Sequence, residues 1–211
     1  MSYTMTYSSL TQDLQRYLER GFTVDSDPYV YEQLPRLINL AERRISHELK
    51  LQGFLRYVNT DFAVGVAVLE KPDRWRETVS MRVNGRSLYT RSYEYLRSYW
   101  PTEAAVGSPE FYADYDYNHW LIAPTPNAVA EVEIAYYEMP RLLDDANQTN
   151  WLTTYAPNLL LYASLLEAMP FLKNDERVAT WQSMYDRHAQ ALATEDSSKI
   201  QDRVSTVRSE A

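Results

Sequence analysis

The sequence predicts an α+β protein: mainly a helical bundle of about four helices drawn from the two ends, with an antiparallel β-rich lobe inserted between the second and third. Three observations carry this. Apolar residues recur at helical spacing from Leu10 to Leu49 and again after Asn150. Between Phe54 and Met139, β-branched and aromatic residues alternate with polar ones. Within that stretch lies Asn84-Gly85, whose two residues both accept the positive φ of a tight hairpin turn. The segments that follow are 1–53 for the N-terminal helices, 54–145 for the β lobe, 146–194 for the C-terminal helices and 195–211 for an extended C-terminal arm.

The first helix is expected to open at Ser9-Leu10-Thr11-Gln12, read as a capping box in which Ser9 and Gln12 satisfy free amides reciprocally. Leu10, Leu14, Tyr17 and Leu18 supply its apolar face, and Gly21 is placed to end it. A second helix starts at Asp27-Pro28, with Asp27 as N-cap and Pro28 at the first position, where its missing N–H costs nothing. Leu34, Leu37, Ile38, Ala41, Ile45 and Leu49 form one stripe, and Glu42, Arg43, Arg44 and Lys50 fall mostly off it. Pro35 is expected to bend this helix or delay its start, and Gly53 to close it.

In the lobe, Val58, Phe62, Val64, Val66 and Val68 favour strand, Thr78 to Val83 alternates, and Leu88-Tyr89-Thr90 is the expected return of the Asn84-Gly85 hairpin. Tyr93 to Trp100 reads as a short helix or loop stopped by Pro101. Phe111 to Tyr117, His119 to Ala123 and Glu131 to Tyr137 complete the strands, with a rigid turn at Pro124-Thr125-Pro126-Asn127. Val132, Ile134 and Tyr136 alternate with Glu131, Glu133 and Ala135, which marks one buried and one wet face.

Helix returns after Asn150. Leu159, Leu160, Ala163, Leu166 and Met169 are read as its stripe, Pro157 suits its first turn and Pro170 breaks it. Asn174 or Asp175 can cap a last helix carrying Val178, Trp181, Tyr185 and Leu192. Beyond Thr194 the apolar pattern thins to Ile200, Val204 and Val207 at i, i+4 and i+7, a weak amphipathic stripe in an extended or conditionally helical arm.

Composition narrows the function classes. The 211 residues contain no cysteine, which excludes disulfides, thiolate metal sites and a cysteine nucleophile. The net charge of −8 repels a phosphate backbone, so tight DNA binding is not expected, whereas an acidic wall that DNA slides past is compatible. Met1 to Tyr7 has neither the charge nor the apolar run of a signal peptide, and the apolar stretch at Leu159 to Leu166 is too short to span a membrane. A soluble protein made in the cytoplasm is the expectation. Eighteen tyrosines and five tryptophans are many for this length, and such side chains fill either sheet cores or protein interfaces.

The search for chemistry is mostly negative. His47, His119 and His188 are far apart with no second histidine at i+3 or i+4, so no zinc-helix motif occurs. The five glycines never cluster into a phosphate-cradling loop, and there is no Gly-x-Ser-x-Gly elbow. No catalytic, cofactor-binding or metal-ligating residue is assigned. The most enzyme-like spot is Asp114-Tyr115-Asp116-Tyr117-Asn118-His119. Asp114 and Asp116 could act as paired carboxylates, or they are wet-face acids with Tyr115 and Tyr117 turned inward. The first option leaves open a carbohydrate-binding or carbohydrate-cleaving component that uses aromatic side chains as sugar platforms.

Several segments in this order resemble head-to-tail adaptor (connector) proteins of tailed phages, a family that includes podophage tail tubular protein A. They are Asp27-Pro28 leading to Leu34-Pro35-Arg36-Leu37-Ile38-Asn39-Leu40-Ala41-Glu42-Arg43-Arg44-Ile45, and Trp120 to Pro126 followed by Glu133 to Tyr137. The strongest is Asn150-Trp151-Leu152 with Ala156 to Ala168 and Phe171 to Asp175. The resemblance implies a non-enzymatic virion protein of the neck, assembled as a twelve-fold ring. Its partners would be the portal protein, a tail nozzle or tail tube protein and copies of itself, with DNA passing through its channel without specific binding, no cofactor and no membrane. The family's C-terminal segment reaches into the portal. From the residues of this chain, the expected portal-docking positions are Lys199, Ile200, Arg203, Val204, Val207 and Arg208. Tyr89, Tyr93, Tyr95 and Trp100 are expected at a subunit or tail interface.

Overall fold

A computed structural model describes residues 4–18, 28–171 and 176–205, with 28–30, 171 and 198–205 described by backbone alone. In chain order the elements are helices α1 (Tyr7–Tyr17) and α2 (Pro28–Glu48), strands β1 (Leu55–Phe62), β2 (Val68–Glu70), β3 (Trp75–Val83), β4 (Arg86–Ser87) and β5 (Tyr89–Thr90), helix α3 (Tyr93–Tyr99), strands β6 (Val106–Gly107), β7 (Phe111–Asp114), β8 (His119–Ala123), β9 (Thr125–Pro126) and β10 (Ala130–Glu138), then helices α4 (Trp151–Tyr155), α5 (Pro157–Glu167) and α6 (Arg177–Ser205). The class is α+β. One unit is built from Met1–Phe54 with Pro140–Ala211, the other from Leu55–Met139.

The β unit is layered. One sheet has the order β1-β10-β3-β4, all antiparallel, and the other β2-β8-β7-β5, in which only the β5–β7 pair is parallel. Phe62, Met81, Val83, Val132, Ile134 and Tyr136 from the first sheet meet Tyr112, Trp120 and Ile122 from the second. The alternation in β10 does its expected work, with Val132 and Ile134 buried and Glu131 and Glu133 exposed. Ala135 departs from it and is buried, at a bulge between Ala135 and Tyr136. On the far side of the second sheet, Leu96 of α3 packs with Ala67, Ala113, Leu121 and Ala123.

The hairpin turn forms at Asn84-Gly85, with φ of 48° and 79°. Its return differs from expectation. Only Arg86 and Ser87 pair with β3, and Tyr89-Thr90 crosses to the other sheet to lie parallel to β7. Leu88 is the pivot: its N–H donates to Met81 O at 2.8 Å and its side chain is buried in the core between the sheets. Val64 and Val66 lie in the exposed β1–β2 turn rather than in a strand. Thr125-Pro126 forms a parallel bridge to Val106-Gly107 instead of an isolated turn.

In the helical unit, α5 is the central element, packed against α2, α6, α4 and α1. Leu159, Leu160, Leu161, Ala163, Ser164, Leu165 and Leu166 are all buried, so α5 is enclosed on all sides rather than carrying one stripe, and Met169 lies past its end and is exposed. Asn150 caps α4, accepting from the Leu152 and Thr153 amides at 3.0 and 3.3 Å. Pro157 opens α5 as expected.

α1 begins a turn earlier than its sequence signal suggests. Thr6 is the N-cap, accepting from Ser9 N–H at 3.1 Å, while Ser9 Oγ accepts from Thr6 N–H at 2.9 Å. Ser9 is therefore the third helical residue, not the cap. The early start is supported from outside the helix, because Gln148 takes the Tyr7 and Ser8 amides at 2.8 and 3.0 Å. The expected stop at Gly21 and caps at Asp27, Asn174 and Asp175 lie outside the described residues.

Pro28 opens α2 and Pro35 lies within it without delaying its start. Both Pro35 and Tyr31, whose carbonyl loses its helical donor, are on the exposed side, where water can replace the missing bond. Gly53 is not the helix stop: α2 ends at Glu48, and Gly53 lies in a short 3-10 turn, Gln52–Phe54. α6 runs unbroken past Thr194 to Ser205, so of the two forms expected for the arm, extended or conditionally helical, its described part takes the helical one.

Candidate interaction surface

The four aromatic residues singled out in the sequence come together in the β unit. Ser92 caps α3 by accepting from Tyr95 N–H at 3.2 Å, which fixes the helix that presents Tyr93, Tyr95 and Tyr99, with Trp100 at its C-cap. The buried Leu96 anchors it, and Phe111 from β7 and Tyr89 from β5 complete the group. Ring centroids lie 4.8 Å apart for Tyr95 and Tyr99, 5.5 Å for Trp100 and Phe111, 6.0 Å for Tyr99 and Trp100, and 6.2 Å from Phe111 to both Tyr89 and Tyr95. Tyr93 sits at one side against Tyr115, at 5.9 Å.

Trp100 and Phe111 are half-buried against the Leu96 cluster, and the tyrosines around them form a surface. Tyr89 is 62% exposed and Tyr99 66%, and Tyr93, Tyr95 and Tyr115 are exposed as well. Arg91 lies over Tyr95 and Phe111, 5.7 and 5.8 Å from their centroids, and Arg97 lies 5.5 Å over Tyr93. A contiguous group of rigid aromatics with stacked arginines has the composition of a protein-binding hot spot. Sequence reasoning missed Phe111, Tyr99 and Arg91. Phe111 is read from sequence as an ordinary strand residue, and only the parallel β5–β7 pairing brings it beside Tyr89.

The acidic spot is committed elsewhere. Asp114 Oδ1 accepts from Lys71 Nζ at 2.7 Å, and the Asp116 carbonyl accepts from the same ammonium at 2.9 Å. The Asp116 carboxylate faces His119 Nδ1 at 2.9 Å and accepts the Asn118 amide at 2.7 Å. Desolvation pushes the Asp116 carboxyl up, but these bonds together outweigh it and hold the group below its ordinary range. Each Asp is thus held in a local contact, Asp114 with Lys71 and Asp116 with His119. Tyr115 and Tyr117 are exposed because β7 ends at Asp114, so the inward placement that strand alternation suggested does not occur. Among the described residues no group of three or more His, Asp or Glu could hold a metal, and no helix is long and apolar enough to cross a membrane.

Lys71 itself was invisible in the sequence. Its side chain is 2% exposed, and its ammonium sits 3.6 Å from the Trp75 centroid and 5.7 Å from that of Trp120. The tryptophan indoles both donate to Thr78 Oγ1, at 3.1 and 3.0 Å, so the cage is held by hydrogen bonds as well as packing. Lys71→Met keeps most of the apolar stem and removes the charge-assisted bonds and the cation–π contact. It is expected to cost about 1–3 kcal/mol. Urea unfolding followed by tryptophan fluorescence checks this, and an unchanged midpoint would show that the cation does not hold this corner together.

Of the expected portal-docking residues, Lys199, Ile200, Arg203 and Val204 belong to the backbone of α6. Val207 and Arg208 lie outside the described residues. The last described side chain with a defined tertiary role is Asp196, which is buried and accepts the Gln52 amide at 2.6 Å.

Comparison with curated proteins gives no match. The model of the SU10 adaptor protein family, however, matches residues 5–208, and so takes in both units. That agrees with the resemblance seen in the α2, β8–β10 and α4–α5 segments. The chain belongs to the SU10 adaptor protein family and is a phage head-to-tail adaptor, a structural component of the virion.

Proposed function

We propose that this adaptor works as a ring, a dodecamer in the virion neck, that joins the capsid portal to the tail nozzle or tail tube. The family match along nearly the whole chain is the observation that carries this reading. The helical unit serves as the bundle that holds each subunit's shape, and the β unit offers the contact surface. Residues 199–208 of the C-terminal arm dock on the portal. The aromatic group around Tyr89, Tyr93, Tyr95 and Trp100 contacts neighbouring subunits or tail proteins. A ring needs two different complementary faces on each subunit, since rotational closure uses heterologous contacts. The net charge of −8 suits a channel through which DNA moves without specific binding.

The test is sedimentation of the chain with the portal protein of the same phage, alone and as a truncation. The truncation should end after Ser197 rather than after Thr194, because the shorter chain would also lose the buried Asp196 and its bond to Gln52. Wild type is expected to add a full ring to the portal. The truncated chain should lose only the helical signal of residues 198–205, keep its urea midpoint and bind the portal at least about tenfold more weakly, as the loss of a cluster of anchoring contacts implies. Unchanged binding would remove the arm from the portal contact.

A further inference from the structure

The β unit carries two unlike faces on opposite sides of its layers. Outward from the inter-sheet core in one direction come the β2-β8-β7-β5 sheet, the Leu96 cluster under α3, and the aromatic group with Arg91. In the other direction comes the β1-β10-β3-β4 sheet, whose outer face is set by the residues that alternate with the buried Phe62, Val132 and Ile134. These are Asn59 and Asp61 of β1, Glu131 and Glu133 of β10, and Arg82 of β3, all exposed.

The charges on this sheet face are left in an unfavourable arrangement. Asp61 and Glu131 are direct cross-strand partners, and like charges so placed repel. Asn59 opposes Glu133, and Arg82 lies opposite Glu133 with 3.8 Å between charged atoms. Among the described residues neither Asp61 nor Glu131 has a cation within ion-pair distance. Arg91 is the mirror image of this. Its guanidinium donates to the carbonyl of Thr90 at 2.9 Å and otherwise lies against Tyr95 and Phe111, with no carboxylate in ion-pair distance among the described residues. A stacked guanidinium keeps its remaining N–H edge for a carboxylate.

We propose that these two faces meet between neighbouring copies of this chain: the aromatic face of one subunit packs on the sheet face of the next, with Arg91 pairing with Asp61 and Glu131. The contact deepens the ring reading and rests on it. A two-fold pairing would set Arg91 against Arg91, or acid pair against acid pair. The head-to-tail arrangement instead joins opposite charges at every step and leaves one face of each kind open for the next copy. Tyr57, 62% exposed on the outer face of β1, supplies an apolar platform for the incoming tyrosines.

The chain has no cysteine, so single cysteines report proximity without background. Tyr99→Cys marks the aromatic face and Asn59→Cys the sheet face. The two variants, mixed and assembled on the portal protein of the same phage, are expected to form a mixed disulfide or short-linker dimer, and neither should couple to itself. Arg91→Glu, with unchanged melting, should lower that coupling at least about tenfold. Combining it with Glu131→Arg should recover a large part of it. Two results overturn the proposal while leaving the ring intact: normal assembly on the portal with no Tyr99–Asn59 coupling, or coupling indifferent to Arg91→Glu. Failure of wild type to add more than one copy to the portal would instead bring down the ring reading, and this contact with it.

Discussion

Gly53→Ala is expected to destabilise the helical unit by about 3 kcal/mol, although the change adds one methyl group to a short turn. A Cβ on Gly53 would sit 2.1 Å from Trp151 Cε2 and 2.4 Å from both Cδ2 and Nε1. No rotation of the methyl relieves this, because the contact is with the indole face over several atoms. The ring cannot easily retreat either: Trp151 packs edge-on against Phe54, with centroids 5.5 Å apart, and against Tyr155 at 5.6 Å. It is also the first residue of α4, fixed by the Asn150 cap. Either the turn or the start of α4 must move.

The Trp151→Ala background separates this explanation from a loss of backbone freedom at residue 53. If the clash is the cause, Gly53→Ala should cost much less once the indole is gone, and the two changes should be strongly non-additive in urea unfolding followed by far-ultraviolet circular dichroism. Additive costs would show that Gly53 is needed for some other reason. Ala is otherwise a better chain stiffener than Gly, so in the Trp151→Ala background it could even be neutral.

Gly53 also illustrates what was and was not legible in the sequence. A glycine following an apolar helical stripe reads as a helix stop, and nothing local reveals an indole arriving from almost a hundred residues downstream. Signals whose partners are near in sequence were legible. The Asn84-Gly85 turn, the β10 alternation, the return of helix after Asn150, Pro28 at a first helical position and α3 all depend on residues within a few places of one another, and the α+β class followed from them. Signals overridden by tertiary contacts were not. Gln148 draws the start of α1 back to Tyr7, Leu88 divides the hairpin return between two sheets, and α5 is enclosed so fully that a one-sided stripe was the wrong picture. The aromatic residues of the candidate surface were found from their type, but their grouping depended on Phe111 and the parallel β5–β7 pairing. Lys71 and Glu42 look like solvent-facing charges in the sequence because burial of a charge is decided by partners far along the chain.

Glu42 gives the second large expected effect. It was expected off the apolar stripe of α2, yet it is fully buried. Its Oε2 accepts the Leu143 amide at 3.0 Å and its Oε1 accepts from Asn150 Nδ2, so one carboxyl ties α2 to the segment that leads into α4 and to the residue that caps it. Burial pushes its pKa up from 4.5 to about 7, against the pull of those two donors, which favour the anion. The folded chain therefore keeps this proton up to about pH 7, whereas the unfolded chain releases it near 4.5. Between those values the native state binds more protons, so this group's contribution is complete below about pH 4.5, falls as pH rises, and levels off above about pH 7. The full swing is on the order of 3 kcal/mol. Glu42→Gln cannot titrate and retains an acceptor for one of the two donors. Its stability relative to wild type should therefore improve on going from about pH 5 to about pH 8, by an amount close to that swing. Glu42→Ala leaves the Leu143 amide, itself at a fully buried residue, without its acceptor and should cost a further ~1–3 kcal/mol at both pH values. Urea midpoints of the three proteins at the two pH values decide the matter. A Glu42→Gln difference that is the same at both would mean that Glu42 is ionised throughout, and that the two amide donors outweigh its burial.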